Sequence, residues 1–127
     1  MFAKRIVPLV LTGLCFSSGT TMAQSALEMR SWCAPVVSAY MKNGTVKLPQ
    51  DFDTGYCWGA FRSIQLITGY VDRDERRILG LCLPPEIKLS QIIMIFSNYV
   101  EQHPKEGHKT YESVALDALH STFPCEG

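Results

Sequence analysis

The chain has 127 residues, 46% hydrophobic and 19% charged, with twelve basic and twelve acidic side chains and a formal net charge of zero. That length supports one domain with one core, of a size that crosslinks help to stabilise. The balanced charge offers no basic field to draw nucleic acid or an anionic membrane surface.

Lys4 and Arg5, an apolar run from Ile6 to Phe16 and the small residues about Thr21-Met22-Ala23 form the pattern of an export signal cleaved before Gln24. The run is too short to span a bilayer. Cys15 follows Leu14 and not the small residue that precedes an acylated cysteine, so it is read as part of the discarded signal. These features predict a signal peptide over 1–23, a single domain over 24–127 and a periplasmic location without a stable membrane anchor. Cleavage also removes Lys4 and Arg5, leaving two more acidic than basic side chains. Four cysteines remain: Cys33, Cys57, Cys82 and Cys125. An even number in an oxidising space points to two disulfides, ahead of a metal site or a reactive thiol.

Met29, Cys33, Val36, Val37 and Tyr40 recur at helical spacing and predict a first helix within Ser25 to Lys42, stopped by Asn43-Gly44. Pro35 leaves two options, a restart with Ser31 as N-cap or a helix that runs through with a kink. Asn43-Gly44-Thr45 also matches a glycosylation acceptor, a match of little weight in an export context of this kind. A second helix begins near Asp51 or Asp53 and runs to about Tyr70, with Cys57, Phe61, Ile64 and Ile67 inward. Gly55 and Gly59 lie one turn apart inside it. Glycine costs about 1 kcal/mol there relative to alanine, so close approach of a neighbouring backbone at the crosslink is the expected reason. Asp72 to Arg77 reads as a solvated loop or helix end, and Ile78 to Pro85 crosses back over the core.

The third helix starts near Ser90 and ends before Pro104, with Leu89, Ile92, Ile93, Phe96, Tyr99 and Val100 as its core stripe. Met94 and Ile95 fall outside that stripe, which predicts packing on two sides or an interface with a subunit or partner. The fourth helix spans roughly Gly107 to Thr122, with Tyr111, Val114, Ala115, Ala118 and Phe123 inward. The sum is an all-α domain of four helices in two helical hairpins. With the first hairpin turning near residue 47, Cys33 falls one turn from Cys57; with the second turning near Pro104, Cys82 and Cys125 flank its open end. Of three pairings, the geometry therefore favours Cys33–Cys57 and Cys82–Cys125.

Catalytic chemistry finds little support. His103, His108 and His120 have acidic neighbours but no zinc-helix spacing, and no serine sits in a nucleophile-like turn. No metal site and no cofactor is expected. Trp32 and Trp58 read as core and disulfide packing ahead of a stacking platform for a ligand.

Gly55-Tyr56-Cys57-Trp58-Gly59, then Cys82-Leu83-Pro84, Gln91, Tyr99-Val100-Glu101-Gln102-His103-Pro104 and Ala118 to Cys125 together resemble the Rap1a/Tai family over about residues 30–125. The resemblance implies a helical, disulfide-bonded periplasmic immunity protein, a non-enzyme that tends to dimerise. Its partner would be a peptidoglycan amidase toxin delivered by type VI secretion. Candidate contact loops are Asp72 to Arg77, with Arg73, Arg76 and Arg77, and His103 to His108, with His103, Lys105 and His108, because binding residues concentrate on loops held by a scaffold. A small acid-stress chaperone is the alternative, sharing compartment, size and crosslinks and separated by acid-triggered monomerisation.

Overall fold

A computed structural model describes residues 23–42 and 47–126. The expected export signal up to Met22 and the expected helix stop and acceptor match at Asn43-Gly44-Thr45 lie outside the described residues. Among the described residues four helices appear in order: α1 (Ala26–Met41), α2 (Phe52–Thr68), α3 (Leu89–Gln102) and α4 (Tyr111–Thr122). A short 3₁₀ turn, Pro104–Glu106, precedes α4.

Ser25 starts α1: its Oγ accepts from the Glu28 N–H at 3.2 Å while the Glu28 carboxylate accepts from the Ser25 N–H at 3.1 Å. Two free donors of the first turn are thereby satisfied. The helix runs through Pro35 without a restart at Ser31. Pro35 has no N–H to give the Ser31 carbonyl, but Ser31 faces solvent and water can serve it. At α2, Asp51 Oδ1 accepts from the Thr54 N–H at 2.8 Å. That bond favours the charged carboxylate and holds its pKa below the usual value.

Helix α3 is central and packs on α1, α2 and α4. Ile92, Ile93 and Phe96 are wholly buried, as are Val114 and Leu119 of α4. Phe61 of α2 meets Phe96 at 4.9 Å and Tyr111 at 6.3 Å between ring centroids. Both favoured disulfides are present, Cys33–Cys57 with Cα atoms 5.4 Å apart and Cys82–Cys125 at 4.9 Å. In the chain-entropy account each restricts the unfolded chain by about 3 to 4 kcal/mol.

The four helices and both bridges match the sequence reading, but the sense of α2 does not follow the expected turn near residue 47. Trp32 on α1 packs on Phe52 and Tyr56 at the start of α2. Gln65 near the end of α2 donates to the Ile87 carbonyl just before α3, and Tyr40 at the end of α1 borders Ile87 as well. Thus α1 and α2 run in the same general direction.

Other expectations are corrected locally. Ile67 is 43% exposed and Thr68 is buried in its place, its hydroxyl satisfied by the Gln65 carbonyl at 2.7 Å. Trp58 is exposed, whereas Trp32 packs against the core. A Cβ at Gly55 or Gly59 would have nothing within 4 Å, so no neighbouring backbone at the crosslink explains these glycines. Residues 107–110 are not part of α4. They lie along the start of α1, where Ala26 N–H donates to the Lys109 carbonyl, Leu27 N–H to Gly107 and Tyr111 N–H to Gln24. Gly107 fits closely there, since a Cβ would stand 2.6 Å from Leu27 Cγ and the half-exposed Leu27 side chain would have to move.

Candidate interaction surface

Between α2 and the first disulfide-bonded residue of the second bridge, the chain makes a compact finger. Ile78 N–H donates to the Tyr70 carbonyl, and Asp72 N–H to the Arg76 carbonyl at 2.8 Å, with Val71 bridged to Arg77. The Asp72 carboxylate accepts from the Asp74 and Arg76 N–H groups at 2.8 and 2.9 Å. Arg76 spans Asp72 and Asp74, and Arg77 donates to the Gly69 carbonyl at 2.6 Å. Glu75 sits at φ 61°, a left-handed conformation that costs a non-glycine residue energy and that this web of bonds imposes. Two of the three arginines are thus spent on the loop's own shape. Among the described residues Arg73 makes no ion pair, leaving it as the cation presented to a partner.

The finger stands on apolar ground: Tyr70, Val71 and Ile78 are 61%, 50% and 52% exposed. Below it, Gly80 at φ +63° turns the chain inward, Leu81 is buried, and Cys82 N–H donates to the Phe123 carbonyl beside the second bridge. The finger is consequently tied at both ends.

The second candidate loop is held differently. The His103 ring stacks on Tyr99 with centroids 4.0 Å apart, and its Nδ1 lies 2.9 Å from the Tyr99 carbonyl. A carbonyl only accepts, so Nδ1 carries the proton. Glu106 pairs with Lys109, which lowers the Glu106 pKa and raises that of Lys109. Lys105 and His108 are exposed, and no ion pair engages either among the described residues.

Met94 and Ile95 are half-buried in an open apolar groove of about 370 Å³ that Tyr40, Pro84, Ile87 and Phe123 also line. The structure therefore sets them apart from the finger. Residues missed in the sequence are the exposed apolar ones of α2, Phe52 and Leu66 above all, at 73% and 52%. A signal for them existed: in seventeen residues α2 carries only Asp53 and Arg62 as charges, too few for a helix with a whole face in water.

Among the described residues no three His, Cys, Asp or Glu side chains come together as a metal cluster. Tyr111 has its pKa raised chiefly by burial, which leaves a neutral phenol and no base. All four cysteines of the domain are in disulfides, so no thiolate is available among them.

The described residues form a disulfide-stapled helical domain with hydrogen-bonded loops and exposed apolar patches. The chain belongs to the Rap1a immunity protein family, whose description, Rap1a immunity proteins, matches residues 31–125. Comparison with curated proteins and with solved structures found no match. The matched span includes both disulfides, all of α2 to α4 and the finger.

Proposed function

We propose that this chain is an exported, periplasmic immunity protein that binds a peptidoglycan amidase toxin delivered by type VI secretion and blocks it by covering its substrate groove. Family membership over residues 31–125 carries the reading. The surface supports it: a finger already locked by its own hydrogen bonds loses little freedom on docking, which lowers the ordering cost of binding. Arg73 supplies charge at the tip, and Val71 and Ile78 supply desolvated contact at the base. Lys105 and His108 extend the polar contact, with His103 held on Tyr99 as a rigid edge. Met94 and Ile95 form an interface in the same proposal, their groove accepting an apolar side chain of the toxin. Self-association as a homodimer belongs to it too.

The test is the purified chain against the amidase encoded beside it. Inhibition without turnover is expected, and Arg73→Glu slows association and alters its salt dependence, while Met94→Lys or Ile95→Lys speeds dissociation. Reversal at Arg76 also breaks the Asp72 web and has the larger effect. If the chain neither binds nor inhibits that enzyme, and cells lacking it are no more sensitive, immunity to an amidase is wrong. Acid-triggered client binding would then favour the stress-chaperone alternative.

A further inference from the structure

Helix α2 turns to solvent a face that, beyond the Trp32 contact with Phe52 and Tyr56, nothing among the described residues covers. Phe52, Tyr56, Leu66, Ile67 and Tyr70 are 73%, 38%, 52%, 43% and 61% exposed along it. Between the bulky ends the same face narrows to Gly55, Gly59 and Ser63, and a Cβ at either glycine meets nothing within 4 Å. The polar groups nearby are turned inward on the helix. Ser63 Oγ donates to the Gly59 carbonyl at 3.1 Å, and Arg62 donates to Gln65 Oε1 at 2.7 Å. A partner therefore meets a mainly apolar surface on which the Ser63 hydroxyl is already bonded and Arg62 is held to Gln65.

We infer that this face binds a second copy of the chain, α2 against α2 and antiparallel, about a two-fold axis passing close to Gly59. The sequence along the stripe is self-complementary in that register. Phe52 of one copy falls opposite Leu66 of the second copy, and Gly55 opposite Ser63, so bulky ends meet bulky ends and the small centre meets itself. A two-fold contact demands this of a single patch. A partner of different sequence does not. The small centre lets the two backbones approach, which supplies the close neighbour that the chain's own fold fails to give these glycines.

The area is sufficient. Taking about 200 Å² for a whole aromatic side chain, the exposed parts of Phe52, Tyr56 and Tyr70 amount to about 350 Å². Leu66 and Ile67 bring the face to about 500 Å², towards the upper end for the largest apolar patch of a monomer. Two facing copies remove about 1,000 Å² from water, the size at which a specific interface begins. The assignment sharpens the self-association within the proposed function and leaves the Met94 groove and the finger free for the toxin. It is read on the purified chain alone, so it can fail while toxin binding stands, or hold while toxin binding fails.

Sedimentation of the oxidised chain over a micromolar dilution series should show a dimer, and Gly59→Arg should weaken association at least a hundredfold with helicity retained. Gly59→Cys should crosslink to itself on mild oxidation, whereas Asn98→Cys, exposed on α3, should not. Phe52→Ser with Leu66→Ser gives the same readout should the arginine variant fold poorly. A wild-type monomer at tens of micromolar overturns the inference. So does a dimer that survives these α2 changes or that Met94→Lys dissolves instead.

Discussion

Gly59→Ala isolates the energetics of α2 because the structure removes the usual complication. Position 59 is well inside a seventeen-residue helix, and no heavy atom lies within 4 Å of the Cβ to be added. No clash subtracts from the gain, and the Ser63 hydroxyl keeps its bond to the residue 59 carbonyl. The substitution should therefore stabilise the isolated domain by about 1 kcal/mol, through lower chain entropy in the unfolded state and better helix propensity. For a domain of this size that is a rise in Tm of about 4–8 °C. The assay is denaturant and thermal unfolding at dilutions where the chain is monomeric, repeated at higher concentration. There the gain should shrink, because two methyl groups now meet across the α2 pair. Lower stability in the dilute sample would refute the reasoning, since it would reveal a contact at Gly59 within the chain.

Phe61→Ala removes a wholly buried ring from between Phe96 and Tyr111 and should cost about 3–5 kcal/mol in denaturant unfolding; a loss under 1 kcal/mol would mean the site collapses freely. Intact mass of the oxidised domain should show two disulfides, and Cys82→Ser should cost about 2–5 kcal/mol by opening the bridge to Cys125. An accessible thiol in the native oxidised domain would contradict this. The Glu106 carboxyl should titrate below its usual 4.5 because Lys109 pairs with it, so its contribution is complete above 4.5 and is lost as pH falls through the lower folded value. Lys109 is raised above its usual 10.5, so its share is complete below 10.5 and disappears as pH rises through the folded value. Carbon-detected NMR of Glu106 in Lys109→Ala should show the midpoint move up, and an unmoved midpoint would remove the pair from consideration.

Periodicity and caps carried much of the fold. Most buried residues of α3 and α4 follow the stripes read from the sequence, although Ser97 and Leu119 are buried as well and Tyr99 and Phe123 only in part, and Ser25 and Asp51 cap as their types suggest. The direction of α2 was hidden for a specific reason. Cys33 and Cys57 each lie well inside their helices, and a crosslink there brings two helices together without fixing their relative sense. The hairpin was inferred from chain economy alone. Ile67 was assigned inward on hydrophobicity, whereas the phase set by Phe61 and Ile64 points Thr68 inward, where its hydroxyl bonds to the backbone. The finger was visible only as a run of charge. That Asp72 organises it and that Arg73 alone of its arginines remains free are facts of side-chain geometry.

The two bridges are consecutive along the chain, Cys33 with Cys57 and Cys82 with Cys125. Oxidised from the amino end in order of appearance, every cysteine of the domain meets its native partner as the next thiol to arrive. Such a chain needs an oxidant but little reshuffling, and the exchange steps that slow interleaved disulfide proteins are bypassed. Cys15 is the exception that could spoil the order, because it precedes all four and would compete for Cys33. If the proposed export signal is cleaved, a chain that retains Cys15 should show mispaired Cys15–Cys33 species that the cleaved chain lacks.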